Sequence, residues 1–372
     1  QYVSSGGSAT STTINSGGWQ VVYSGGSATS TTINSGGRQH VSSGGSATST
    51  TINGGGLQIV SSGGSATSTT INSDGQQNVF SGGSATSTTV NNGGEQNVSR
   101  GGSATSTTIN GGRQHVYSGA SATSTTINDG WQNVYNSGSA TSTTINGGRQ
   151  AVFSGGSATS TTINGGWQDV FIGGSATSTT INSGGGQAVS SGASATSTTI
   201  NGGLQVVSRG GSATSTTINS GGRQHVSGGG SATSTTINSG GWQAVYSGGS
   251  ATSTTINSDG QQYVSSGGSA TSTTINSGGQ QNVSSGGSAT STTINDGWQN
   301  VYNSGSATST TINGGLQAVY SGGSATSTTI NNGWQNVYNS GSATSTTING
   351  GLQAVYSGGS ATSTTINSDG WQ

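Results

Sequence analysis

Three sets of residues in this chain carry groups able to react or to recognise a partner: hydroxyls, histidines and paired aromatic rings. Hydroxyls dominate, because the string Ser-Ala-Thr-Ser-Thr-Thr occurs twenty times, from Ser8 to Thr13 through to Ser360 to Thr365. Turned outward, such groups form an array of oxygen nucleophiles. That array suits acceptance of O-linked sugars, or a bare Ser-x-Thr lattice of the kind that binds ice. The three histidines lie in identical strings, Arg38-Gln39-His40, Arg113-Gln114-His115 and Arg223-Gln224-His225. They are copies several repeats apart and cannot share a metal or a proton. Asp74, Asp129, Asp259, Asp296 and Asp369 all occupy one Asn-Ser/Gly turn position, where aspartate is a common turn former. No paired carboxylate can be assembled, so no catalytic residue, metal site or cofactor is expected, and the protein is not read as an enzyme.

All seven tryptophans precede a glutamine, and six are followed four residues later by Tyr or Phe. The pairs are Trp19 with Tyr23, Trp131 with Tyr135, Trp167 with Phe171, Trp242 with Tyr246, Trp298 with Tyr302 and Trp334 with Tyr338. Residues i and i+4 of a strand share a face, so each pair is expected to present two rings outward, a candidate surface for sugars or for another copy of the chain.

The elements that position these groups follow from the period. Successive Ser-Ala-Thr-Ser-Thr-Thr strings start 18 or 19 residues apart, which is the mark of a solenoid whose coils bury their faces only by stacking. Of 372 residues 72 are Gly, none is Pro, Cys or Met, and 13 are charged, with a net charge of −1. Nucleic acid binding, which needs clustered Lys and Arg, is therefore not expected, and no apolar run approaches the roughly 20 residues of a membrane helix. The absence of cysteine leaves no disulfide or thiolate site. Two Asn-x-Ser sites, Asn97-Val98-Ser99 and Asn282-Val283-Ser284, match an N-glycosylation acceptor but fall in the variable strand and are discounted.

One coil reads Trp19-Gln20-Val21-Val22-Tyr23, then Ser-Gly-Gly, then Ser27 to Asn34. Gln20 and Val22 share a parity and recur in every coil, as do Thr31 and Ile33, with Val90 the one replacement for Ile. Those four are expected inward, and the variable residues between Gln and Val outward. Ser11 and Thr13 are then outward and Ser8 lies near a corner. Ala9 has the wrong parity to face inward unless the chain bends near Thr10. Gly-Gly before Ser8 and Asn-Ser-Gly-Gly after Ile14 supply the corners, and the length variation falls only in the second. The pattern is an all-β, right-handed parallel β-helix of about 20 coils, a rod on the order of 95 Å long at about 4.8 Å per coil. Polar low-complexity tracts usually fail to fold, but disorder would not need Val and Ile at fixed parity. One Val, one Ile and one Ala make a thin core, so backbone ladders and stacked Gln must supply the remainder.

The unit Gly-Gly-x-Ala-x-x-Thr-x-Ile-Asn-x-Gly-Gly-x-Gln-x-Val, as at Gly25 to Val41, closely resembles the 19-residue repeat of AIDA/TibA-type autotransporter adhesins, across essentially the whole chain. The resemblance implies an exported passenger exposed at the outer membrane, mediating attachment to host cells, self-association and biofilm formation. It also implies heptose added covalently to passenger serines by an autotransporter heptosyltransferase in the cytoplasm before export. Residues 1–372 are then expected to be one repeat domain, a fragment of a longer passenger. The family motif does not say which serines are modified. The physical choice is Ser11, Ser30, Ser49, Ser68, Ser87, Ser106, Ser124, Ser142, Ser160 and Ser178 first, and Ser8, Ser27 and Ser46 second. Two other readings stand beside the adhesin: an ice-binding solenoid, and a mechanical stalk carrying a separate tip domain.

Overall fold

Every coil closes around a glutamine. The computed structural model describes residues 1–372, and all of its regular elements are β-strands. They fall into two compact units, Gln1–Thr180 and Ile181–Gln372, each a parallel β-solenoid built on the same coil.

In the first unit a coil runs through a Gln-Val strand, Trp19–Val22, a Ser-Ala-Thr strand, Ser27–Thr29, and a short Thr-Ile strand, Thr32–Ile33. Each pairs in parallel with its own copy one repeat on: Gln20 with Gln39, Ala28 with Ala47, Ile33 with Ile52. The second unit repeats this with Arg223–Val226, Ser231–Thr233 and Thr236–Ile237, where Gln224 faces Gln243 and Ala232 faces Ala251. Identical residues therefore stack in columns. Val22, Ala28 and Ile33 are fully buried. Val and Ala columns pack together, as Val3, Ala9, Val22 and Ala28 do, while Ile14, Ile33, Ile52, Ile71 and Val90 form their own column.

Between these apolar columns runs a buried amide ladder. Gln39 Nε2 donates to Gln20 Oε1 at 2.7 Å and to Thr31 Oγ1 at 3.1 Å. Gln39 Oε1 accepts from Gln58 Nε2 at 2.7 Å and from Thr50 Oγ1 at 3.3 Å. A primary amide has two donors and two acceptor sites, and here all four are used. Gln224 has the same four partners in the second unit: Gln205, Thr216, Gln243 and Thr235. No buried side-chain nitrogen or oxygen is left without a partner. A second ladder, Asn34 to Asn15 and Asn53 to Asn34 at 3.0 and 3.1 Å, lines the outer corner.

The two corners expected from glycine are present. At Tyr23-Ser24-Gly25-Gly26 both central residues have positive φ, 48° and 74°, and Gly26 N donates to Tyr23 O at 2.9 Å, the sign pattern of a type I′ turn. At Asn34-Ser35-Gly36-Gly37 only Gly36 is left-handed, at 72°, as a type II turn requires. Asp74 and Asp259, at φ 61° and 57°, stand at that same position.

A third corner, which the sequence allowed only as a bend near Thr10, is present. The bend lies at Ser11 and its equivalents rather than at Thr10: Ser30 has φ 53° and Ser234 φ 57°. This single left-handed residue is why Ala28 and Thr31, three positions apart, both point inward. It also reverses its own amide, so that Ser30 N donates forward to Thr48 O at 2.9 Å, whereas Thr32 N donates back to Thr12 O at 2.8 Å. Where the repeat has 18 residues the second corner shortens, and in some of these coils two strands merge, as in the ten-residue strands Thr108–Tyr117 and Thr126–Tyr135, while in others, such as Thr162–Ile163 and Trp167–Phe171, they stay separate.

Two stability outcomes follow. Replacing Gln224 by Leu leaves Gln243, Thr235 and Gln205 each short of a buried partner at about 1–3 kcal/mol per group, so thermal unfolding by circular dichroism should show a marked fall in midpoint. An unchanged midpoint would mean that the ladder is dispensable. Replacing Ser234 by Gly should leave stability equal or raised, and by Val should lower it by about 1–3 kcal/mol, because positive φ is unstrained for Gly and most strained for a β-branched side chain.

Candidate functional site

Side chains that leave the coil do so at the corners and along the Gln-Val strand. Ser11, Ser30, Ser49, Ser68, Ser87, Ser106, Ser124, Ser142, Ser160 and Ser178 are all exposed, with φ between 53° and 57°. Their outward direction agrees with the sequence reading, but their setting does not. They stand on a sharp corner and not on a strand face, while Ser8, Ser27 and Ser46, assigned to a corner, open the strands Ser8–Thr10, Ser27–Thr29 and Ser46–Thr48. Ser27 and Ser46 are half-buried. Thr32, the partner of Ser30 in the Ser-x-Thr lattice, is half-buried at the start of the next strand. Ser30 therefore stands on the bend and Thr32 beyond it, and the two do not share one strand face.

The aromatic residues are also arranged differently from the expected pairs. Trp19, Trp131, Trp167, Trp298 and Trp334 are exposed, Trp242 is half-buried, and Tyr23, Tyr135, Phe171, Tyr246, Tyr302 and Tyr338 are half-buried. Each pair shares a face, yet the ring contacts run along the axis. Tyr117, Tyr135, Phe153 and Phe171 stack in one file with centroids 5.0–5.1 Å apart. Tyr302, Tyr320 and Tyr338 form a second, at 5.2 and 5.1 Å. Burial first, then the flanking Tyr302 and Tyr338, pushes the Tyr320 phenol up from its ordinary pKa. The tryptophans meet neighbours on adjacent coils: Arg38 lies over Trp19 and Arg149 over Trp131, and Trp242 contacts His225 and Tyr263. Tyr117, Phe153 and Tyr320 were missed in the sequence because no Trp precedes them. Their spacing of 18 residues from Tyr135, Phe171 and Tyr338 is the signal that reveals them.

The histidines are more enclosed than ordinary surface residues. His115 lies 3.3 Å from Glu95; burial lowers its pKa, Glu95 opposes that shift and Arg113 adds to it. Burial and then Arg223 lower His225 likewise. No group of three or more His, Asp or Glu is placed to hold a metal ion, and no helix is long and apolar enough to cross a membrane.

Comparison with known proteins sets this geometry in a family. Residues 1–37, 33–75, 145–185 and 229–279 match the family described as adhesin of bacterial autotransporter system, probable stalk. A crystal structure of a TibC-catalyzed hyper-glycosylated TibA fragment is 42% identical, over 98% of this chain and 99% of that one, with a TM-score of 0.43. The kinship rests on the identity over that length. None of the curated proteins is a significant match.

Because both histidines bind protons less readily folded than unfolded, the unfolded chain takes up more protons on acidification, and stability rises with pH. Their contribution is complete above about 6.5 and is lost as pH falls through the lowered folded values. The melting temperature should drop on acidification across this window, and the double substitution His115→Gln with His225→Gln should flatten the dependence; a midpoint that climbs as pH falls would contradict the assignment.

Proposed function

The chain belongs to the AIDA/TibA-type autotransporter adhesins, a cell-surface passenger scaffold, and from that premise we propose that its corner serines are the acceptors of O-linked heptose. The observation that carries this reading is the corner itself. Ser30 and its equivalents stand exposed at a left-handed bend, one per coil. The reaction is a transfer by a separate heptosyltransferase, not a reaction of this chain: serine Oγ bonds to the anomeric carbon, the donor's leaving group departs with the old bond, and the enzyme takes the hydroxyl proton.

If the sugars are added in the cytoplasm before export, the acceptor need only tolerate the sugar once the coil has formed. That condition separates the hydroxyls. Thr31 is buried and holds Gln20 and Gln39, so a sugar there would break the ladder. Ser27 is half-buried within a strand, whereas Ser30 and its equivalents are exposed. With so few charges, a sugar coat also supplies the hydration that keeps the surface soluble. The TibA fragment named above is hyper-glycosylated by TibC, which supports a transferase partner of the same kind here. On this reading the surface is offered to host cells or to other copies of the chain.

Coexpression with an autotransporter heptosyltransferase, read by intact mass and peptide mapping, should give a ladder of heptose additions approaching or exceeding one per coil. Ser30-type corners should be among the mapped sites, and Ser234→Ala should remove the addition at its own coil. An unshifted mass with an enzyme active on another passenger, or sugars confined to turn residues such as Ser16 or Ser24, would overturn the assignment.

A further inference from the structure

Shallow grooves recur at one place in the repeat, between the glycines of the second corner and the residue before the ladder glutamine. Glu95 and Arg113 line one, and Arg223, Trp242 and Asp259 another. The groove within residues 296–351 is different in character. Trp298, Leu316 and Trp334 stand on successive coils, in register with one another, and form an apolar wall. Asp296 and Asn332 face it, and the cavity measures about 400 Å³. We propose that this groove binds a pyranose sugar.

The floor is bare backbone because these are 18-residue coils, in which the corner has lost a residue and Gly314, Gly315 and Gly333 carry no side chain. The Asp296 carboxylate reaches over Gly314, where any Cβ would displace it. Asp296 holds φ 133°, a conformation that is costly for any residue but Gly. Arginines lie over the rings of Trp19 and Trp131, whereas no cation lines the groove of Trp298 and Trp334, which are 50% and 59% exposed.

A pyranose ring fits this arrangement by chemistry. Its C–H face packs on an indole, and its hydroxyls donate to a carboxylate and exchange hydrogen bonds with an amide. A groove with one carboxylate and no lining cation disfavours anions, and a wall of two indoles and a leucine opposite polar groups matches an amphipathic neutral ligand. The inference deepens the adhesin reading and rests on it, since it names what the adhesin surface would contact.

The test is binding by the purified, unglycosylated chain on an array of pyranose oligosaccharides, followed by titration with the glycan retained best. Retention is expected. Trp298→Ala and Trp334→Ala should each weaken it by at least about tenfold, Asp296→Asn should weaken it less, and Gln76→Ala, at an exposed position outside the groove, should leave it unchanged. The substituted side chains are exposed, and circular dichroism is used to check that each variant is folded. Silence of the whole array toward the folded chain, or affinities unmoved by both tryptophan substitutions, would overturn the groove. That failure is separable from failure of the adhesin reading, because cell attachment by the same passenger is measured independently of the array.

Discussion

The four-bonded glutamine is the constraint from which the remainder of the coil follows. A buried amide is unfavourable unless each of its donors and acceptors is matched. Stacking identical glutamines at the repeat distance of parallel strands matches one donor and one acceptor along the column. The other two fall to threonine, on the opposite side of the cavity. Thr31 donates to Gln20 and accepts from Gln39, so it bridges two rungs. A coil that lost its register by one residue would turn the glutamine outward and leave its neighbours unmatched. The ladder thus specifies register in a chain whose apolar core is otherwise small.

Bringing threonine to the glutamine requires the corner at serine. A left-handed serine is less comfortable than a glycine, yet the chain places Ser there in every coil while using glycine freely at the other two corners. The geometry alone would be satisfied by Gly. The hydroxyl is what Gly would lose, and this ties the structural corner to the proposed chemistry of the surface. Interior and exterior are separated in the same way along the whole repeat: Gln, Val, Thr and Ile vary almost nowhere, while the residue before Gln ranges over Trp, Arg, Leu, Gln, Glu and Gly. A scaffold with a constant inside and a freely substituted outside can present different groups, here indole, guanidinium or carboxylate, on one backbone.

Much of this was legible from parity and period. Gln20, Val22, Thr31 and Ile33 were placed inward because period-two alternation is a direct consequence of the pleat, and two corners were read from glycine. The third was not, because no glycine marks Ser30; the only hint was the wrong parity of Ala9, and the bend falls one residue later than that hint suggested. The aromatic files were hidden for a different reason. Reading along the strand pairs Trp131 with Tyr135, whereas contacts in a solenoid are made one repeat away, so Tyr135 meets Tyr117 and Phe153. The groove beside Trp298 was missed because a Gly pair reads as a turn and not as a floor.

The account stands or falls on whether the glutamine amides are held inside as a bonded column. Amide hydrogen exchange of the side-chain Nε2 protons, followed by NMR on glutamine-labelled protein, reports this directly. Ladder residues such as Gln39, Gln58, Gln224 and Gln243 should exchange as slowly as the backbone amides of their own strands, and far more slowly than the exposed Gln76. Rapid exchange of the ladder amides in a chain whose backbone is protected would show that the column is not closed, and would remove the constraint on which the corner serine and the surface it presents depend.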